Sequence, residues 1–176
     1  MSEEVVPEYA RKRVLILGVG NVLFGDDGFG SAAADYLQKN CKIPDDTYVM
    51  DAGISAGDLL FNVALSPKKP QKIIILDAVN MKKQPGTLFT LSIDELPANK
   101  LGDFSMHFFP AKALLETLRN QMGIDITILA CQAKRVPNEV SPGLSGIVKK
   151  ALPKAAELAL KLAGLTGKHS LKRKTD

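Results

Sequence analysis

Two adjacent carboxylates, Asp26 and Asp27, sit in the glycine-punctuated stretch GNVLFGDDGFG, Gly20 to Gly30, directly after the apolar run Val14-Leu15-Ile16-Leu17-Gly18. Glycine lets a backbone turn sharply and approach a ligand closely. Acids in such a loop are costly if buried without a task, so the combination reads as a site. Two further acids end apolar runs: Asp51 after Thr47–Met50, and Asp77 after Ile73-Ile74-Ile75-Leu76. His107 follows Gly102-Asp103-Phe104-Ser105-Met106. Asp27, Asp77 and His107 would supply oxygen and imidazole donors suited to first-row divalent metals. Three such ligands leave coordination positions open for another molecule, unlike a closed structural site. Each residue alone has a plainer reading. Asp26 or Asp27 would cap a helix, Asp77 would bond backbone at a strand end, and His107 would be an ordinary surface or core histidine.

The elements around these residues decide whether they can meet. Arg13–Gly18 reads as a strand and Asp27–Leu37 as a helix with Ala32, Ala33, Ala34, Tyr36 and Leu37 on its apolar side. Thr47–Asp51 is a second strand and Ala56–Leu65 a second helix. Lys72–Val79 has a continuous apolar centre without alternation, the pattern of a strand buried on both faces of a parallel sheet. Gly86–Leu91 is a fourth, β-rich segment suited to an antiparallel edge. His107–Arg119 is a helix that begins in earnest at Pro110, and Ile126–Cys131 a fifth strand. Ser141-Pro142 has the form of an N-cap followed by proline at the first helical position. The last helix would then run toward Ala163, with Pro153 kinking or splitting it. Strand–helix alternation predicts a three-layer α/β/α fold with a mostly parallel five-stranded sheet and a possible antiparallel edge. In such a sheet the acids after strands one, two and three share the edge where open α/β folds bind ligands.

Two other chemistries compete. Gly18-Val19-Gly20 after a strand suggests a dinucleotide fingerprint, but its third glycine position is Leu23, and two acids would face a pyrophosphate. Gly53-Ile54-Ser55-Ala56-Gly57 matches G-x-S-x-G, and Ser55, Asp77 and His107 follow the chain order of a nucleophile, acid and base. Against that serine-hydrolase reading, too little sheet precedes the motif and no oxyanion segment is evident. The plainer reading has Ser55 leading into the second helix.

Composition frames these choices. The chain has 176 residues, 45% hydrophobic and 24% charged, which fits one globular domain with a sizeable core. We read residues 1–12 as an N-terminal extension, 13–165 as a single domain and 166–176 as a basic tail. The formal charge of +4 owes much to that tail, Lys168–Asp176, whose plainest role is a solvated segment. No apolar run suits a bilayer span and MSEEVVPEYARKR lacks a signal-peptide core, so the expected location is cytoplasmic, without a membrane partner. Few aromatics and no Trp argue against a nucleic-acid partner. Two cysteines, Cys41 and Cys131, cannot build a disulfide framework or a zinc cage alone.

The segment GNVLFGDDGFG, with Asp51-Ala52-Gly53, Leu76-Asp77-Ala78-Val79 and Ser105-Met106-His107, resembles the hydrogenase maturation proteases over roughly Arg13 to Ala163. These endopeptidases process large-subunit precursors of nickel–iron hydrogenases. The resemblance implies a twisted sheet between helices. It implies Asp27, Asp77 and His107 as the metal-contacting and catalytic group, with Asn21, Asp26 and Asp51 in support. It implies a hydrogenase large-subunit precursor as partner, and nickel that is carried by that substrate and is not resident in the protease. The enzyme would cut off a C-terminal extension, with Asp26, Asp27 or Asp77 activating water. The alternatives are a nickel-checking assembly chaperone that binds without cutting, or a serine hydrolase using Ser55. The family often has threonine at the Ser55 position, which argues against a nucleophile there. Lys134 and Arg135 depart from the family, which commonly has acidic or neutral residues there. The wording of GNVLFGDDGFG resembles the methanogen branch serving deazaflavin-reducing hydrogenases.

Overall fold

A computed structural model describes residues 6–96 and 109–165. Its elements are α1 (Glu8–Arg11), β1 (Val14–Val19), α2 (Phe29–Asn40), β2 (Thr47–Gly53), α3 (Ala56–Leu65), β3 (Lys72–Val79), β4 (Leu88–Leu91), α4 (Phe109–Asn120), β5 (Asp125–Gln132) and α5 (Gly146–Leu162). The strands form one sheet in the order β2-β1-β3-β5-β4. β1 pairs in parallel with β2 and β3, β3 in parallel with β5, and β4 lies antiparallel on β5 at the edge.

Alternation along the central strands sorts the core into two layers. Val14, Ile16, Ile74 and Leu76 face α2 and α5, meeting Phe29, Leu37, Val148 and Leu160. Leu15, Leu17, Ile73 and Ile75 face the other way, toward Leu60 and Val63 of α3 and Leu115 and Leu118 of α4. Both faces of β1 and β3 are therefore buried, which explains their unbroken apolar runs. The connection after β1 leads through α2 to β2 on one side. β3 lies on the other side of β1. The sheet thus changes direction between β1 and β3, and such a switch point opens a crevice beyond the strand ends.

Three local expectations are corrected. The last helix does not begin at Ser141-Pro142. Ser141 N–H instead donates to the Leu23 carbonyl at 2.8 Å, and Ser141 bridges to Phe24, so helix α5 waits until Ser145 as its N-cap. Of the kink or split read at Pro153, the split does not occur: α5 runs on unbroken to Leu162. Pro153 and Lys149, whose carbonyl loses its amide partner, both lie on the exposed side of the helix, where the loss is least costly. The first helix starts at Phe29 and not Asp27, because Gly25–Gly28 forms a separate 3₁₀ turn. The short α1 also lies within the segment read as an extension, with Ala10 buried.

Among the described residues no helix is long and apolar enough to cross a membrane.

Candidate active site

The site is assembled by close backbone approach. Gly18 on β1 lies against Gly30 on α2: a Cβ at Gly18 would come within 2.8 Å of Ala34 Cβ and collide with the Gly30 backbone. A Cβ at Gly30 would fall onto the carbonyls of Leu76 and Val19. Gly20 turns with φ 130°, where a side chain would strike the Asp27 carbonyl and approach Asp77 Oδ1 at 3.8 Å. These glycines serve close helix–strand contact. They press the Gly25–Gly28 turn against the end of β3.

That turn separates the two acids. A 3₁₀ turn has three residues per turn, so neighbouring side chains point about 120° apart. Asp26 is fully buried and points to the loop after β5. Its Oδ2 accepts from the amides of Lys134 and Arg135, both at 2.8 Å, and from Ser145 Oγ at 2.9 Å. Its Oδ1 accepts from Ser145 N–H at 2.6 Å. Both oxygens are occupied by the fold, which removes Asp26 from the candidates for activating water and makes it a tether. Asp26→Asn would turn an amide toward these donors. We expect it to destabilise the protein by about 2–4 kcal/mol, read as a lowered urea midpoint. An unchanged midpoint would contradict the tether.

Asp27 points the other way, toward β3. It is 4% exposed, and its Oδ2 accepts the Asn21 amide at 2.8 Å. Asn21 Oδ1 in turn accepts the Leu23 amide at 3.0 Å, which fixes the turn entering the loop. Asp77 lies on the face of β3 that carries Ile73, Ile75 and Val79 and is 1% exposed. Its Oδ1 accepts the Ala78 amide at 2.8 Å. Its Oδ2 is buried without a hydrogen-bond partner among the described residues. Burial first, and the nearby Asp27 charge second, push the Asp77 carboxyl well above the usual carboxylate range, against a smaller lowering by the Ala78 amide. A buried pair of acids sharing one crevice favours holding a proton or a cation between them. Among the described residues no third carboxylate, thiol or imidazole completes a metal-binding group.

The remaining candidates fall elsewhere. His107 lies outside the described residues. Asp51 stands on β2, opposite Gly18 of β1, so β1 separates it from Asp77. Its Oδ1 accepts from Ser31 Oγ at 2.7 Å and the Gly53 amide at 3.0 Å, fastening α2 to the end of β2. Neither cysteine offers a ready thiolate: both are buried, and burial pushes Cys131 up to about 12. Gln132 was not anticipated. It ends the apolar strand β5, is 3% exposed, and its Oε1 accepts the amides of Met81 and Lys83 at 2.8 and 3.1 Å. The only signal in the sequence is a polar residue closing the run Ile126–Cys131.

Ser55 is exposed, in the turn after the edge strand β2. A nucleophile elbow needs glycines where the turn is crowded, yet a Cβ at Gly57 would meet nothing within 4 Å. Ser55→Ala and Gly57→Ala are therefore expected to keep activity within about threefold, because neither touches the carboxylate pair. Gly57→Ala should add up to about 1 kcal/mol of stability in its helix. Labelling of Ser55 by a fluorophosphonate probe, with activity lost in Ser55→Ala, would restore the serine-hydrolase reading.

Comparison with known proteins agrees with this architecture. The HycI hydrogenase maturation protease family matches residues 32–162. A putative hydrogenase maturation protease from Methanocaldococcus jannaschii is 40% identical over 151 residues, covering 85% of this chain and 96% of the relative. The coenzyme F420 hydrogenase subunit delta of Methanothermobacter thermautotrophicus is 33% identical over 158 residues, covering 87% of this chain and 96% of its own length. Among solved structures, the hydrogenase-maturating endopeptidase HybD of Escherichia coli superposes with a TM-score of 0.70 at 28% identity, covering 86% of this chain and 94% of that one. The family match, the long relatives and the shared five-stranded α/β/α architecture agree: this chain belongs to the hydrogenase maturation protease family.

Proposed function

We propose that this protein is an endopeptidase that removes the C-terminal extension of a nickel–iron hydrogenase large-subunit precursor once nickel has been inserted. The observation that carries the proposal is the buried Asp27–Asp77 pair at the switch point between β1 and β3, with Asp77 Oδ2 lacking a donor among the described residues. Such an oxygen is costly to bury and suits an incoming cation. In this reading the nickel arrives as part of the substrate. Asp27 and Asp77, with His107, supply hard and borderline donors, and thiolates on the precursor supply softer ones. Binding is then favourable only when the precursor brings its ion, so metal insertion is checked before the chain is cut.

The same pair supports an aspartic type of hydrolysis. Two interacting carboxylates hold a proton between them more readily than either alone. Asp77, held toward its neutral form, and Asp27, held by the Asn21 amide, can divide the roles of proton donor and base for an attacking water. The family relative named as an F420 hydrogenase subunit favours a precursor of the F420-reducing class as substrate.

The experiment is a mass measurement. The purified protein is incubated with nickel-loaded and nickel-free precursor, and intact masses are recorded. Truncation of the loaded precursor alone is expected. A stable complex with no change in mass would identify a nickel-checking chaperone. Equal truncation of both forms would end the nickel-reading account.

A further inference from the structure

Beside the carboxylate pair, two neighbouring loops carry four exposed cations: Lys82 and Lys83 after β3, and Lys134 and Arg135 after β5. Among the described residues no carboxylate lies within ion-pair distance of any of them. The Arg135 guanidinium donates to the Ser141 hydroxyl at 3.3 Å, and Lys83 Nζ stands 4.9 Å over the Phe89 ring. Glu139 is an exposed acid further along the second loop and pairs with none of the four.

The placement of these charges is built, not incidental. Gln132 holds the first loop through the Met81 and Lys83 amides, and its Nε2 donates to Asn80 Oδ1 at 3.2 Å. Ala133 N–H donates to the Val79 carbonyl at 3.0 Å, binding the two loops edge to edge. The second loop is bolted by its Lys134 and Arg135 amides to Asp26, the residue beside Asp27. Lys82 takes φ 56°, the one non-glycine among the described residues with positive φ. A long side chain is disfavoured there, where glycine or asparagine sits more easily. Strained positions of this kind cluster at ligand-contacting sites.

We propose that Lys82, Lys83, Lys134 and Arg135 form a collar that binds an acidic stretch of the polypeptide presented to the Asp27–Asp77 site. The inference rests on the proposed function only for the identity of that polypeptide, a segment of the precursor next to its cleavage point. The logic is complementary charge. A nickel ion satisfies the acids, and a neighbouring acidic segment satisfies the cations, so one substrate must match both signs in the right order. Charge arranged this way selects partners and register.

The test uses fluorescence anisotropy with three labelled probes: a Glu/Asp-rich 12-residue peptide, a Ser/Gly peptide of equal length, and a single-stranded oligonucleotide of matched charge. The wild-type protein is expected to bind the acidic peptide at least tenfold more tightly than the neutral one, with affinity falling as salt rises. The variant K82Q/K83Q/K134Q/R135Q should lose at least tenfold, with its unfolding midpoint unchanged, and Lys82→Arg should retain binding. Equal binding of acidic and neutral peptides would overturn the proposal, as would undiminished binding by the quadruple variant. Oligonucleotide binding as tight as that of the acidic peptide would overturn it in favour of a general polyanion surface. Peptide binding needs no cleavage. An acidic-selective collar on a protein that cuts no precursor would leave this inference standing while removing the proposed function.

Discussion

Asp77→Asn is expected to yield a protein that is more stable than the wild type and catalytically silent. The asparagine keeps an oxygen for the Ala78 amide and is neutral at every pH, whereas the buried carboxyl must hold a proton to avoid the cost of a desolvated charge. Its sign with pH follows from the raised Asp77 carboxyl. Between the ordinary carboxylate range and the higher folded value, the native state holds a proton that the unfolded chain has released. Stability therefore falls as pH rises through that window, and the penalty is complete above it. Asp77→Asn abolishes this fall. At neutral pH, in the presence of chelator, we expect a gain on the order of 1 kcal/mol, or about 2–4 °C in Tm. Cleavage should fall by about 10²–10⁴, the range for loss of a proton-transfer group. A destabilised Asp77→Asn, or one with wild-type cleavage, would contradict the assignment.

Gly30→Ala should produce the largest loss of stability. On helix propensity alone alanine would help α2 by about 1 kcal/mol. Sterics reverse the sign. The added Cβ would meet the backbone carbonyls of Val19 and Leu76 and come within 2.5 Å of the Val19 nitrogen. These are atoms of two central strands and cannot turn aside as a flexible side chain would. Overpacking typically costs about 1–3 kcal/mol and more where the obstructing atoms are backbone that cannot move, a large part of the roughly 5–15 kcal/mol that holds a domain together. The urea midpoint should drop accordingly. Any protein that still folds should lose cleavage too, since the Gly25–Gly28 turn moves with α2. An unchanged or raised midpoint would show that the helix does not sit as described.

The contrast between these residues shows what the chain reveals before it folds. The parallel core was legible because β1 and β3 are buried on both faces and so carry uninterrupted Val, Leu and Ile. The antiparallel edge at β4 was legible from Gln84-Pro85-Gly86 and the β-rich residues after it. That Asp27 and Asp77 share one sheet edge was legible because acids follow the first and third apolar runs, whereas Asp51, after the second, lies across β1 from Asp77. The division of labour inside the site was not. Asp26 and Asp27 are the same residue type in adjacent positions, and only the 3₁₀ geometry sends one to Ser145 and the other toward β3. The start of α5 was misread because Ser141-Pro142 has good local capping chemistry, while its tertiary partners are Leu23 and Phe24. Gln132 and the left-handed Lys82 act through loops that meet only after the sheet forms. Local pattern cannot report a contact between residues fifty apart.

Under the proposed function, Asp27 and Asp77 read a metal brought by the precursor. The most direct measurement is the affinity of the wild type, Asp27→Asn and Asp77→Asn for nickel-loaded and nickel-free precursor, alongside the metal content of the isolated protease. Little or no metal is expected in the isolated protein, with at least tenfold tighter binding of loaded precursor by the wild type. That preference should be lost in both variants, with their folds intact by circular dichroism. A preference for loaded precursor that survives both substitutions would contradict this reading, as would a stoichiometric, tightly held metal in the isolated wild type that is needed to cut nickel-free precursor.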